Sequence, residues 1–136
     1  MKIWLVVILT LALALVVTPA FATPKAGAQA GVPKYDPAKE AVFKGTVEEV
    51  RDRECPVSGG MGAHVILNLG GGKTIEVHLA TTKFMKNYEL VFNKGEQIEV
   101  TGSKVTFEGV ETIFAREVKR GNDTFVFRDK DGNPVW

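Results

Sequence analysis

Apolar and polar residues alternate along most of the chain between Ala41 and Arg128, and the alternation breaks chiefly at glycine-rich turns. A period of two puts successive side chains on opposite faces of an extended strand, so this stretch reads as sheet. One hairpin is constrained further. Gly70-Gly71-Gly72 separates His64–Leu69 from Lys73–Ala80. If Leu69 and Lys73 close that loop, Val65 lies opposite Val77 and Leu67 opposite Ile75, four apolar residues sharing one face as a core requires. The same register sets His64 directly opposite His78 on the other face, with Ile66, Asn68, Thr74 and Glu76. A slip of one residue would break the apolar match.

The remaining elements follow from the same pattern. A first strand is expected at Ala41–Arg51, bent at Gly45, and residues 52–62 read as a loop. Residues 81–92 change period: Phe84, Tyr88 and Val91 or Phe92 recur at helical spacing, and Thr81 or Thr82 can cap the start. A short helix is expected near 82–92, with Phe84, Met85 and Tyr88 covering one end of the sheet. Strands follow at Gln97–Phe107, bent around Gly102, and at Val110–Lys119, then a sixth extended segment at Thr124–Arg128. Three strands, a helix and two further strands is the order of an OB-fold, a five-stranded Greek-key barrel with its helix between strands three and four. In the tail, Asp131-Gly132 reads as a turn, with Pro134 and Trp136 pinning the end of the chain onto the barrel.

Ahead of the barrel, Lys2 precedes an unbroken apolar run from Ile3 to Val17, closed by Thr18-Pro19 and Ala20-Phe21-Ala22. A positive start, a short apolar stretch and a small-x-small exit make residues 1–22 a secretory signal peptide. The run is shorter than the roughly 20 residues of a spanning helix, so no membrane span is expected after cleavage. Residues 23–33 (TPKAGAQAGVP) have almost nothing to bury and read as a flexible linker, leaving 34–136 as one domain. The chain has 17 Lys and Arg against 16 Asp and Glu, and removal of Lys2 evens the count. A balanced domain has no field to gather nucleic acid or an anionic membrane. The single cysteine, Cys55, cannot form an internal disulfide; it is a plain loop thiol, a link to another chain or a ligand.

The strings GTVEEV at 45–50, KGEQIEVTGSKV at 94–105, IFAREVKRG at 113–121 and FRDKDGNPVW at 127–136 resemble those of small exported bacterial OB-fold proteins. Among these, the chain is similar to the OB-like domain of magnetosome-associated proteins and their uncharacterised relatives. The resemblance implies a bacterial, extracytoplasmic setting, periplasmic or secreted, and carries no activity with it. The C-x-x-C-H haem-attachment motif of some magnetosome proteins does not occur in this sequence.

The motifs point to binding rather than catalysis. Ser58 and Ser103 are the only serines, and neither lies in a G-x-S-x-G elbow. Gly70-Gly71-Gly72 is followed by a strand, whereas a phosphate loop opens a helix. Asp129–Asn133 lacks the further acidic position before the Gly and the closing Glu of a calcium loop. Phe43, Phe107, Phe114, Phe125 and Phe127 are spaced for packing, and the basic residues are interleaved with acidic ones, unlike a stacking groove for single strands. The expectation is a non-enzymatic envelope module that recognises a protein or small ligand, with no cofactor required. Oligonucleotide or oligosaccharide binding is a lesser alternative. The histidines allow two readings. On a generally polar sheet face they are exposed polar residues. Otherwise His64 and His78 form a site for a transition metal or haem iron, with Cys55 as third ligand or Glu76 in its place, and the chain is a metal- or haem-handling redox accessory protein.

Overall fold

The structure, a computed structural model, describes residues 31–136. The signal peptide read at 1–22 and the linker as far as residue 30 lie outside the described residues. The fold is mostly β: β1 (Glu40–Cys55), β2 (Gly60–Gly70), β3 (Lys73–Thr81), a short helix α1 (Thr82–Asn87), β4 (Gln97–Phe107), β5 (Val110–Arg120) and β6 (Asp123–Val126). Among the described residues no helix is long and apolar enough to cross a membrane.

All six strands belong to one sheet in the order β3-β2-β1-β4-β5-β6, and β3 also pairs with β5. The pairings therefore run in a ring, β1-β2-β3-β5-β4 and back to β1. Four of the five contacts are antiparallel; the β3–β5 seam is parallel and three residue pairs long, from Glu76↔Thr112 to His78↔Phe114. The expectation of five strands is corrected by β6, which extends the sheet beyond β5. β1 serves two neighbours because it is 16 residues long. Its first half pairs with β4 and its second with β2, and Thr46 faces both Gln97 and Asn68. Gly45 adjoins that handover, where a Cβ would run into the Asn68 carbonyl and come within 2.9 Å of Leu67. Gly102 does the same for β4: the β4–β5 register shifts between Thr101 and Gly102, and a Cβ there would strike the Phe114 carbonyl.

The β2–β3 hairpin has the register read from the sequence over its core, with Val65↔Val77, Leu67↔Ile75 and His64↔His78. Its loop differs by one position: Gly70, not Leu69, faces Lys73, after an irregularity at Asn68. Val47, Val65, Leu67, Val77, Val100 and Ile113 fill the interior of the ring and are at most 1% exposed.

The helix is shorter than expected. Thr81 caps it, its Oγ1 accepting from the Phe84 amide at 3.1 Å. It stops at Asn87 because Glu89 takes a left-handed conformation (φ 52°) and the Leu90 amide reaches back to the Met85 carbonyl. Met85 is buried and Phe84 half-buried as expected, but Tyr88 is 65% exposed, leaning on the Phe84 ring. The C-terminal tail turns at Asp129–Gly132, where the Asp129 carboxylate accepts from the Asp131 and Asn133 amides. It then returns over the sheet through a bridge between Arg128 and Pro134.

Candidate metal centre

The outward face of the ring carries a second buried cluster, separate from the interior. Pairing places Arg51, His64, His78 and Phe114 in one row across β1, β2, β3 and β5. Cys55 ends β1 on the same face as Arg51 and Arg53, since residues two apart share a face. This face was expected to be polar and solvent-exposed. The structure corrects that expectation: His64 and His78 are both 0% exposed and Cys55 is 2% exposed. Three segments outside the regular alternation cover them. The 56–59 turn folds Ser58 back by a bond from its amide to the Cys55 carbonyl. The N-terminal segment brings Tyr35 against Cys55, Phe107 and Phe114. The tail lays the Trp136 ring 5.7 Å from that of His78.

Beneath this cover the ligand-bearing atoms of Cys55, His64 and His78 all lie within 4.8 Å of one another. The two imidazoles meet edge to face, with centroids 4.8 Å apart. Gly62 makes the convergence sterically feasible. A Cβ on Gly62 would sit 2.6 Å from Ser58 Oγ and 3.1 Å from both Cys55 Cβ and His64 Nε2. The missing side chain leaves the space into which these groups point.

Hydrogen bonding leaves the cluster short of partners. Ser58 Oγ lies 2.8 Å from His78 Nε2. His64 Nδ1 lies 2.9 Å from Glu76 Oε1, a contact between a carboxylate and a neutral ring that lacks the alignment of a hydrogen bond. His64 Nε2 and His78 Nδ1 are buried with no partner. A buried polar atom without a partner costs about 1–3 kcal/mol, so a gathering of them beside a thiol is a chemical signal rather than a packing accident. Burial, reinforced by the charge of Arg53, lowers the His64 pKa to about 4, against the opposing pull of Glu76. Burial lowers that of His78 to about 3, helped by His64 and Arg128. Both rings are neutral at physiological pH, the form that coordinates metals.

Of the residues singled out from the sequence, Cys55, His64 and His78 come together. Glu76 stands behind His64, where its Oε1 also accepts from Arg53 Nε at 2.9 Å. It is placed to orient the imidazole rather than to replace the thiol. Sequence reasoning missed Ser58, Gly62 and Arg128. Ser58 and Gly62 both fell within the stretch 52–62 read as a loop, although Gly62 lies in β2. Arg128 is only 5% exposed, with its guanidinium over Tyr35, Phe114 and Trp136 at 5.5–5.6 Å and its Nη1 donating to the Gly132 carbonyl. In sequence it was one more basic residue interleaved with acidic ones.

Two neutral imidazoles and a thiol suit a borderline or soft transition ion. Metal–ligand bonds of about 2.0–2.3 Å would hold ligand atoms roughly 3.3–3.8 Å apart, so an ion here would need the trio to draw together from separations of up to 4.8 Å. A shallow surface depression lined by Glu54, Cys55, Pro56 and Gly60 lies beside the cluster, with Cys55 itself almost wholly covered. The model of the MamS/MamX magnetosome protein family matches residues 39–125, a span that contains all three ligand residues and ends before Arg128 and Trp136. No curated protein matches the chain.

Proposed function

The chain belongs to the MamS/MamX magnetosome protein family, and from that premise we propose that it is an exported, non-enzymatic binding module of the cell envelope that holds one transition-metal ion between Cys55, His64 and His78. The observation that carries the reading is the convergence of three buried ligand side chains, two of them with unpartnered nitrogens, from three strands onto one point. The ring of pairings, with α1 between β3 and β4, supports an OB-like barrel as the scaffold. The apolar run of residues 3–17 and the Ala20-x-Ala22 exit support export. The family's name supports a role at the magnetosome. Haem fits poorly, because the two imidazole rings are in direct contact and no gap between them admits a macrocycle. An ion alone fits.

The test is elemental analysis of the purified protein, followed by titration of wild type, Cys55→Ser, His64→Ala and His78→Ala. One ion per chain at sub-micromolar affinity, weakened at least about a hundredfold by each substitution, supports the site. Wild-type affinity no better than micromolar, or variants that bind as well as wild type, reduces the trio to a packed cluster.

A further inference from the structure

We infer that the ion this site is built to hold is monovalent copper, an inference that rests on the metal-binding reading above. Charge carries it first. The ligand set offers one thiolate and two neutral imidazoles, so a monovalent ion leaves the filled site neutral and a divalent ion leaves it with one positive charge. The surroundings penalise that charge. Phe114 and Trp136 flank His78, and the ligands are cut off from water. The Arg128 guanidinium lies over the same two rings, and its hydrogen bond goes to the Gly132 carbonyl, not to an acid. The carboxylate against the ligands, Glu76, is paired with Arg53, which also meets the half-exposed Glu108 at the rim. An uncompensated charge buried beside a buried guanidinium is destabilised far more than one in water.

Coordination number carries it second. Three side chains converge, and the nearby hydroxyl of Ser58 is engaged with His78. Divalent zinc takes four ligands and, where the protein supplies three, completes its shell with water. The cover over this site leaves little provision for that water. A soft monovalent ion is content with thiolate and imidazole donors. Binding is a simple exchange: the cysteine sulfur releases its proton to solvent as the copper–sulfur bond forms, with no change of oxidation state.

The experiment is anaerobic competition for Cu(I) against a chromophoric Cu(I) chelator, alongside a Zn(II) titration, on wild type and Arg128→Met. Wild type is expected to bind Cu(I) at one per chain and at least about a hundredfold more tightly than Zn(II). Copper K-edge absorption is expected to show one sulfur and two nitrogen neighbours. In Arg128→Met, Zn(II) affinity is expected to rise about tenfold while Cu(I) affinity changes little, since only the charged product is relieved. A merely structural arginine would weaken both metals together. Zn(II) binding as tight as Cu(I) in wild type, or equal weakening of both in the variant, overturns the inference and leaves a metal site standing. Failure of wild type to bind either metal overturns the site itself. If Arg128→Met does not fold, the wild-type preference and its sulfur and nitrogen count decide alone.

Discussion

Acidification of the metal-free protein from pH 7.5 to pH 5 should destabilise it through His64 and His78. Both have folded-state pKa values below the ordinary 6.5, at about 4 and about 3, because burial disfavours the imidazolium and Arg53 and Arg128 repel it. The sign follows from proton counting. Between the folded and unfolded values the unfolded chain binds more protons, so stability is full above pH 6.5 and falls as pH drops toward the folded values. At pH 5 each histidine lies about 1.5 units below its unfolded pKa, worth roughly 2 kcal/mol. The pull of Glu76 is already contained in the His64 value, so the pair together is worth about 4 kcal/mol, a large fraction of a small domain's stability. Carboxylates do not confuse this window. Glu40, Glu96 and Asp129 have pKa values lowered by their hydrogen-bond donors, so their contribution is lost only as pH falls below the ordinary carboxylate range. The assay is urea unfolding with a chelator present, followed by circular dichroism at pH 7.5, 6.5, 5.5 and 5.0. A change below 1 kcal/mol over that range, or stability rising as pH falls, would refute a buried neutral pair.

Three other outcomes are expected. Glu76→Gln should weaken metal binding by about 10–100-fold while the apo fold survives, because the carboxylate that orients His64 is lost; unchanged affinity in a metal titration would remove Glu76 from the site. Gly102→Ala should cost about 2–3 kcal/mol in urea unfolding, since a Cβ there runs into the Phe114 carbonyl and lies 2.9 Å from Ile113 Cγ2; a neutral result would mean the β4 irregularity relaxes freely. Single-stranded DNA and RNA should bind negligibly at about 150 mM salt, because Phe107, Phe114 and Phe127 are buried and the charge is balanced; a sub-micromolar complex in fluorescence anisotropy would contradict that.

What could be read from the sequence divides along a physical line. The pairing of His64 with His78 was legible because Val65, Leu67, Ile75 and Val77 admit one register that buries all four. The strand bends were legible because glycine is what a close backbone approach demands, as Gly45 and Gly102 show. The burial of the histidines was not legible. Their cover comes from Ser58 in the adjoining turn and from Tyr35 and Trp136 at distant ends of the domain, all in segments without periodicity, and alternation along β2 and β3 says nothing of what lies over a face. The helix end was missed because Glu89 takes the left-handed conformation usually left to glycine. Arg128 was missed because a charge is ordinarily a surface signal.

The position of the centre outside the ring bears on how site and scaffold can vary. The interior cluster built on Val65, Leu67, Val77 and Val100 is distinct from the outward cluster of Cys55, Phe107 and Phe114. Adjacent residues on β2 and β3 serve the two in alternation: Val65 and Val77 point inward where His64 and His78 point outward. Cys55, His64 and His78 thus inherit the rigidity of packed strands without interrupting the core, which is the support a site needs to hold its geometry. Their cover does not share that rigidity by construction. It consists of a turn, an N-terminal segment and a tail, joined to the sheet by few backbone bonds such as Val135 to Phe127. Local opening is least costly in such segments. Entry and exit of an ion would therefore run through the cover while the strands that carry the ligands stay paired.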